Sequence, residues 1–231
     1  MNSLKNVAYT EEYKKYRDTF NFVFDNKYKE QVIEQPLSDG KHSARITFYK
    51  DETCSISKYR VLASKTEILN SQSQIVAKFE NVNQSIFFYA FEHSNGKTYL
   101  LFKIDLYGYS IMNLSNYEVY HFVPDVSFLG QEETFIWTGA FYFNKNNILV
   151  VDGCYWACPY ATLFINLTNP EQLPYKVIYS SYEMENELNI DNDIIPLRWN
   201  EDGSIVLQCS IKDDDELIER AFDVESLLAK L

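Results

Sequence analysis

A chain of 231 residues is long enough for one large domain or two small ones with a substantial core. Its 46% hydrophobic and 23% charged residues exclude a disordered polymer. A formal net charge of −12 excludes the basic footprint of a nucleic-acid binder and opposes docking on anionic lipid, which leaves a basic protein as the partner the charge favours.

The first residues, MNSLKNVAYTEEYKKYRD, lack the apolar core of a signal peptide, and no apolar run is long enough to span a membrane. Cytoplasmic residence is the expectation, with Cys54, Cys154, Cys158 and Cys209 as thiols. Residues 1–18 read as an N-terminal extension with a short helix over residues 10–17, where Thr10 is the N-cap and Glu11 and Glu12 follow. Residues 19–231 read as a single all-β repeat domain. Its first run, TFNFVFD at residues 19–25, reads as extended and is a candidate strand beside the last repeat.

The remainder is organised by a repeat. VIEQPLSDGKHSARITFY, IFFYAFEHSNGKTYLLFKI, FIWTGAFYFNKNNILVV and IIPLRWNEDGSIVLQCS share an extended run, a polar turn and a second extended run. The turns fall at Asp39-Gly40, Asn95-Gly96, Asn146-Asn147 and Asp202-Gly203, and their second residues recur at intervals of 56, 51 and 56. Such dipeptides suit a two-residue hairpin turn, in which both central residues need positive φ. A second marker ends a third strand in SIMNLSN, LFINLTN and RAFDVES, with Asn113, Asn166 and Asp223 separated by 53 and 57 residues. Repeat one carries YRVLASKTE in that place. Each repeat reads as a four-stranded antiparallel meander, strands A to D, since the short connections leave no room for helical crossovers. The C-terminal ELIERAFDVESLLAKL also has helical spacing, but its FDVES is in phase with the other repeats and assigns it to strands C and D.

Meanders recurring at this interval resemble the blades of a β-propeller, over roughly residues 32–231, without a recurring Trp-Asp or Gly-His signature. The fold expectation is therefore all-β, a four-bladed or incomplete β-propeller-like domain, with a β-sandwich as the alternative.

DGCYWACPY at residues 152–160 falls in this phase at the end of strand B and the B–C corner of repeat three. In an extended strand Cys154 and Cys158 stand about 13 Å apart, so joint metal binding or a disulfide needs a turn at residues 157–159. The histidines are His42, His93 and His121, too few to complete a closed zinc site with one cysteine pair. Asp152 and other acids nearby disfavour a thiolate nucleophile. The reading is that Cys154 and Trp156, two apart, pack as core, that Pro159 ends the strand and that Gly153 marks a bulge or close contact. The string DGCYWACP is similar to one in uncharacterised bacterial proteins, a likeness that implies a bacterial source and no activity.

The phase also sorts charge. B–C corners and D–A connections share one edge, which collects Asp51, Glu52, Asp105, Asp213, Asp214, Asp215, Glu132, Glu133, Glu183, Glu185 and Glu187. Tyr107, Tyr155, Trp156 and Tyr160 lie at the same corners. No complete catalytic constellation, cofactor motif or metal-ligand spacing is present. The candidate binding set is Asp105, Tyr107, Asp152, Cys154, Tyr155, Trp156, Cys158, Tyr160, Glu183, Glu185 and Asp213–Asp215. The leading expectation is a non-catalytic domain holding a basic protein. The alternatives are an enzyme or small-ligand binder with a carboxylate in a concave pocket at this edge, and a structural subunit of a larger assembly.

Overall fold

The computed structural model describes residues 4–52, 60–82, 87–156, 158, 160–188, 194–210 and 217–225. Its strands form four antiparallel sheets, each a meander in which neighbours in sequence pair in space. Sheet one is β1 (Lys29–Pro36), β2 (Ser43–Asp51), β3 (Val61–Leu69) and β4 (Ile75–Val82). Sheet two is β5 (Phe88–Glu92), β6 (Thr98–Phe102), β7 (Tyr109–Asn113) and β8 (Val119–Phe122). Sheet three is β9 (Ile136–Phe143), β10 (Ile148–Cys154), β11 (Ala161–Asn166) and β12 (Lys176–Ser180). Sheet four is β13 (Ile195–Trp199), β14 (Ser204–Ser210) and β15 (Leu217–Asp223); the fourth strand expected for it falls on residues outside those described. The all-β repeat is thus present, in phase with the polar turns.

The turns themselves correct one expectation. Positive φ occurs once per tip, at Gly40 (65°), Gly96 (79°), Asn147 (55°) and Gly203 (92°), and not at both central residues. In sheet four Gly203 N–H donates to Asn200 O at 3.1 Å and Asn200 N–H to Ser204 O at 2.9 Å. That is a type I turn followed by one left-handed residue, the three-residue loop. The acid before the glycine serves through its side chain: Asp202 Oδ1 accepts from Ser204 N–H at 2.9 Å, as Asp39 Oδ1 accepts from Lys41 N–H at 3.0 Å.

The third-strand marker has an equally local cause. Asn113, Asn166 and Asp223 each accept, through Oδ1, the N–H two residues on, from Ser115 (2.9 Å), Thr168 (2.9 Å) and Glu225 (3.0 Å). Repeat one has the same device at Asn70, which accepts from Gln72 N–H at 3.0 Å. It escapes the sequence pattern because it lies only 43 residues before Asn113, at the end of a nine-residue β3.

The chain divides into two compact units, Met1–Glu92 with Gly96–Glu132, and His93–Asn95 with Glu133–Leu231. In the first, Ala44, Ile46, Ile68 and Phe79 of sheet one share a core with Ala90, Leu100, Phe102 and Met112 of sheet two; the Phe79 and Phe102 rings stack 3.9 Å apart. In the second, Ile148, Val150, Phe164 and Tyr179 of sheet three pack with Ile205, Leu207, Cys209 and Phe222 of sheet four. Each fully buried large side chain contributes about 1.5–3 kcal/mol of transfer free energy.

Helix α1 (Glu11–Asp18) starts where Thr10 accepts the Tyr13 N–H, and a short helix α2 (Asp125–Phe128) follows β8. The run at residues 19–25 is not a strand. Its centre is a 3-10 turn, Asn21–Phe24, with Val23 fully buried. Val23 N–H bonds to Phe20 O at 3.0 Å, a turn that brings residues three apart to one side. Val23 then packs on Tyr49, Val61, Ala63 and Val82 of sheet one, with Phe20, Phe22 and Phe24 around it. The alternating phenylalanines imitate a strand, but burial of Val23 against sheet one decides the conformation.

The acidic connection after β12 forms α3 (Ser181–Leu188). Glu183 Oε2 accepts from Ser180 N–H at 2.7 Å, the carboxylate half of a capping box. Met184 is buried in the second unit's core. Among the described residues no helix is long and apolar enough to cross a membrane.

Candidate functional site

The B–C corner of sheet three carries the DGCYWACPY run. β10 shifts register between Asp152 and Gly153, and a Cβ on Gly153 would strike the Ile136 carbonyl and the Phe135 ring. Both a bulge and a close contact therefore require glycine there. Asp152 faces Gly139 in the sheet, where Thr138 Oγ1 donates to its Oδ2 at 3.0 Å. Burial raises its carboxyl above the usual range, opposed by the Thr138 bond.

Beyond Cys154 the strand ends, and Cys158 N–H donates to Tyr155 O at 2.9 Å. This turn begins earlier than residues 157–159 and overturns the expectation that Trp156 packs as core. Alternation stops before it, leaving Trp156 62% and Tyr160 42% exposed. Cys154 is half-buried, Cys158 exposed and Cys209 buried; Cys54 lies outside the described residues. Among the described residues no three His, Cys, Asp or Glu side chains are placed to hold a metal.

Tyr155 turns inward. Its ring meets Phe135 edge-on at 5.4 Å and Tyr182 of α3 at 6.4 Å, so the aromatic corner and the acidic helix sit side by side in the second unit. Glu183 is exposed, and Glu185 belongs to the same helix. Asp213, Asp214 and Asp215 lie outside the described residues.

At the corresponding corner of sheet two, Asp105 is buried, only 8% exposed. The Tyr13 hydroxyl donates to its Oδ2, while Oδ1 has no hydrogen-bond partner. Burial pushes the Asp105 carboxyl up to about 6, against the lowering effects of the Tyr13 bond, Arg17 and Lys103. Arg17 is committed elsewhere, donating through Nη1 to Ile104 O and through Nη2 to Glu80 O at 2.7 Å. Asp105 lines a cleft of about 160 Å³ with Tyr16, Val82, Tyr107, Val123 and Phe128.

Asp51, placed on the acidic rim by the repeat phase, is fully buried, and with Asp105 it does not belong to a solvated edge. A corner carboxylate at the end of a B strand points into its sheet as readily as out of it. The Ser110–His121 pair, 2.7 Å apart, resembles a nucleophile and base. Ser110 is fully buried, however, and burial, with a smaller effect of Arg17, lowers the imidazole to about 4, which marks a structural bond. Sequence reasoning missed Tyr13, Tyr16, Arg17 and Phe128. Tyr13 reaches Asp105 across 92 positions, and no local pattern announces such a contact. No family model matches the chain, and no curated protein is significantly similar to it.

Proposed function

We propose that the protein is a non-catalytic binding domain that holds a basic protein partner on the aromatic, acidic edge of its second unit. The observation that carries this reading is the Tyr155–Tyr182 ring contact, which joins the corner bearing exposed Trp156 and Tyr160 to helix α3, where Glu183 is exposed. Exposed Trp and Tyr are the residue types that supply hot-spot energy, each worth about 2 kcal/mol or more when a partner buries it. Carboxylates around them steer a cationic partner and set its register. The net charge of −12 acts in the same direction at longer range. We further read the four sheets as equivalents of propeller blades, a reading supported by their common meander order and shared Asx turns.

The test uses a 12-residue oligolysine and an oligoglutamate as probes in biolayer interferometry. The protein is expected to bind only oligolysine, more weakly as salt rises. Glu183→Lys/Glu187→Lys should weaken binding at least tenfold, and Trp156→Ala likewise. The control, Glu118→Lys/Glu201→Lys, makes the same change in net charge at exposed positions of turns. Equal losses in the two charge-reversed proteins would reduce the edge to bulk charge and overturn the proposal.

A further inference from the structure

The first unit contains a site whose residues the second unit's edge does not use. Asp105 is held by one oxygen only: Tyr13 donates to Oδ2, and Oδ1 is left without a donor. A buried acceptor in that state costs about 1–3 kcal/mol, and more when charged. The two cations that act on Asp105 are Arg17 and Lys103. Arg17 spends its guanidinium on two backbone carbonyls. Lys103, itself buried, lies 6.0 Å from the Phe87 ring centroid. Their field favours the ionised carboxylate while Oδ1 stays open, and an ionised carboxylate is an acceptor alone.

The cleft that Asp105 lines is walled by aromatic and aliphatic groups, Tyr16, Tyr107, Phe128, Val82 and Val123. At about 160 Å³ it is well below the 300–1,000 Å³ of drug-sized pockets, so its occupant is small. An apolar wall that includes one carboxylate residue, Asp105, matches a short carbon chain ending in a strong donor. Aromatic faces also accept a cation where they would repel an anion.

We propose that this cleft binds a primary alkylammonium group, with the N–H donors on Asp105 Oδ1 and the carbon chain against Tyr16, Tyr107 and Phe128. The group comes either from a free small amine or from a lysine side chain of a protein.

Chemical-shift perturbation in the full-length protein provides the test, with n-butylamine, 1-butanol and butyrate as probes. Butylammonium should shift the amides of Tyr107, Val123 and Ser127 with a Kd on the order of 1 mM. Butanol and butyrate should bind at least tenfold more weakly. Asp105→Asn should remove butylammonium binding while the spectrum remains that of a folded protein. Ser127→Phe, which places a ring in the cleft without touching the carboxylate, should remove it independently if the first variant fails to fold. Nα-acetyl-lysine methylamide separates the sources: tighter binding than butylamine assigns a protein side chain, weaker binding a free amine. Butanol binding as tightly as butylamine, or undiminished binding in both variants, overturns the proposal. The oligolysine test at the Trp156 edge uses other residues, so either site can fail alone.

Discussion

The B–C corners of sheets two and three occupy the same place in the repeat and carry similar residues, DLYGYS against GCYWACPY, yet their surroundings differ completely. At sheet two the N-terminal segment lies over the corner: Tyr13 bonds Asp105, Arg17 bonds the Ile104 carbonyl, and Asn6 pairs with Pro124 in an isolated bridge. At sheet three the chain turns at Tyr155 and leaves Trp156 in solvent. The repeat sets where a corner falls; chain from outside the repeat decides whether its polar and aromatic groups become interior or surface.

The largest effect that separates the corners is a matched pair of truncations. Tyr13 is 2% exposed and donates a hydrogen bond to Asp105, so Tyr13→Ala should cost about 3–5 kcal/mol in urea unfolding. Trp156→Ala at the open corner should change stability by no more than about 0.5 kcal/mol. Comparable losses at both positions would erase the distinction.

This contrast also explains what was legible in the sequence. Asp39-Gly40, Asp202-Gly203 and the Asn113 and Asn166 turns act on backbone within four residues, so a residue pair suffices to place them. The sheets followed from them because a meander needs only consecutive hairpins. The cover over Asp105 depends on residues 92 positions away, and the 3-10 turn at Asn21–Phe24 depends on Val23 finding sheet one. Helix α3 lay between. Its Ser180–Glu183 capping pair was readable, yet the acidic run reads as a solvated loop until buried Met184 is known.

The covered corner makes a second, slightly smaller prediction. Between pH 3.8 and about 6 the folded protein retains a proton on Asp105 that the unfolded chain has released, so that group lowers stability as pH rises through the window. His121 acts in the opposite sense. Its folded value of about 4 lies below the ordinary 6.5, and stability rises with pH between them. The two slopes oppose each other in wild type. Asp105→Asn should gain on the order of 3 kcal/mol relative to wild type at pH 7.5, taken from the gap between 3.8 and about 6 at 1.36 kcal/mol per pH unit. The gain should vanish near pH 4, leaving the His121 slope exposed. A difference that does not vary with pH would show that Asp105 is not held charged and half-paired.

A smaller effect concerns the open corner's neighbour. Removing the Glu183 carboxylate breaks its bonds to Ser180 N–H and Oγ, and Glu183→Ala should destabilise by about 1 kcal/mol. Glu183→Gln, which keeps an acceptor, should recover most of it. That pair separates the capping role of Glu183 from its charge: Gln should restore stability but not oligolysine binding.

The smallest expected effect tests openness directly. Cys158 is exposed in the turn that carries Trp156, Cys154 is half-buried at the end of β10, and Cys209 is buried, where burial also raises its thiol above the usual range, with Arg220 opposing. Alkylation of the native protein with iodoacetamide, read by peptide mapping, should therefore, among these three described cysteines, modify Cys158 first, Cys154 more slowly and Cys209 only on unfolding. Because the corner is open, the adduct on Cys158 should leave stability within about 0.5 kcal/mol while weakening oligolysine binding next to Trp156. If Cys158 were as slow as Cys209, the corner would be closed in solution, and the contrast between the two corners would have to be drawn from some feature other than cover.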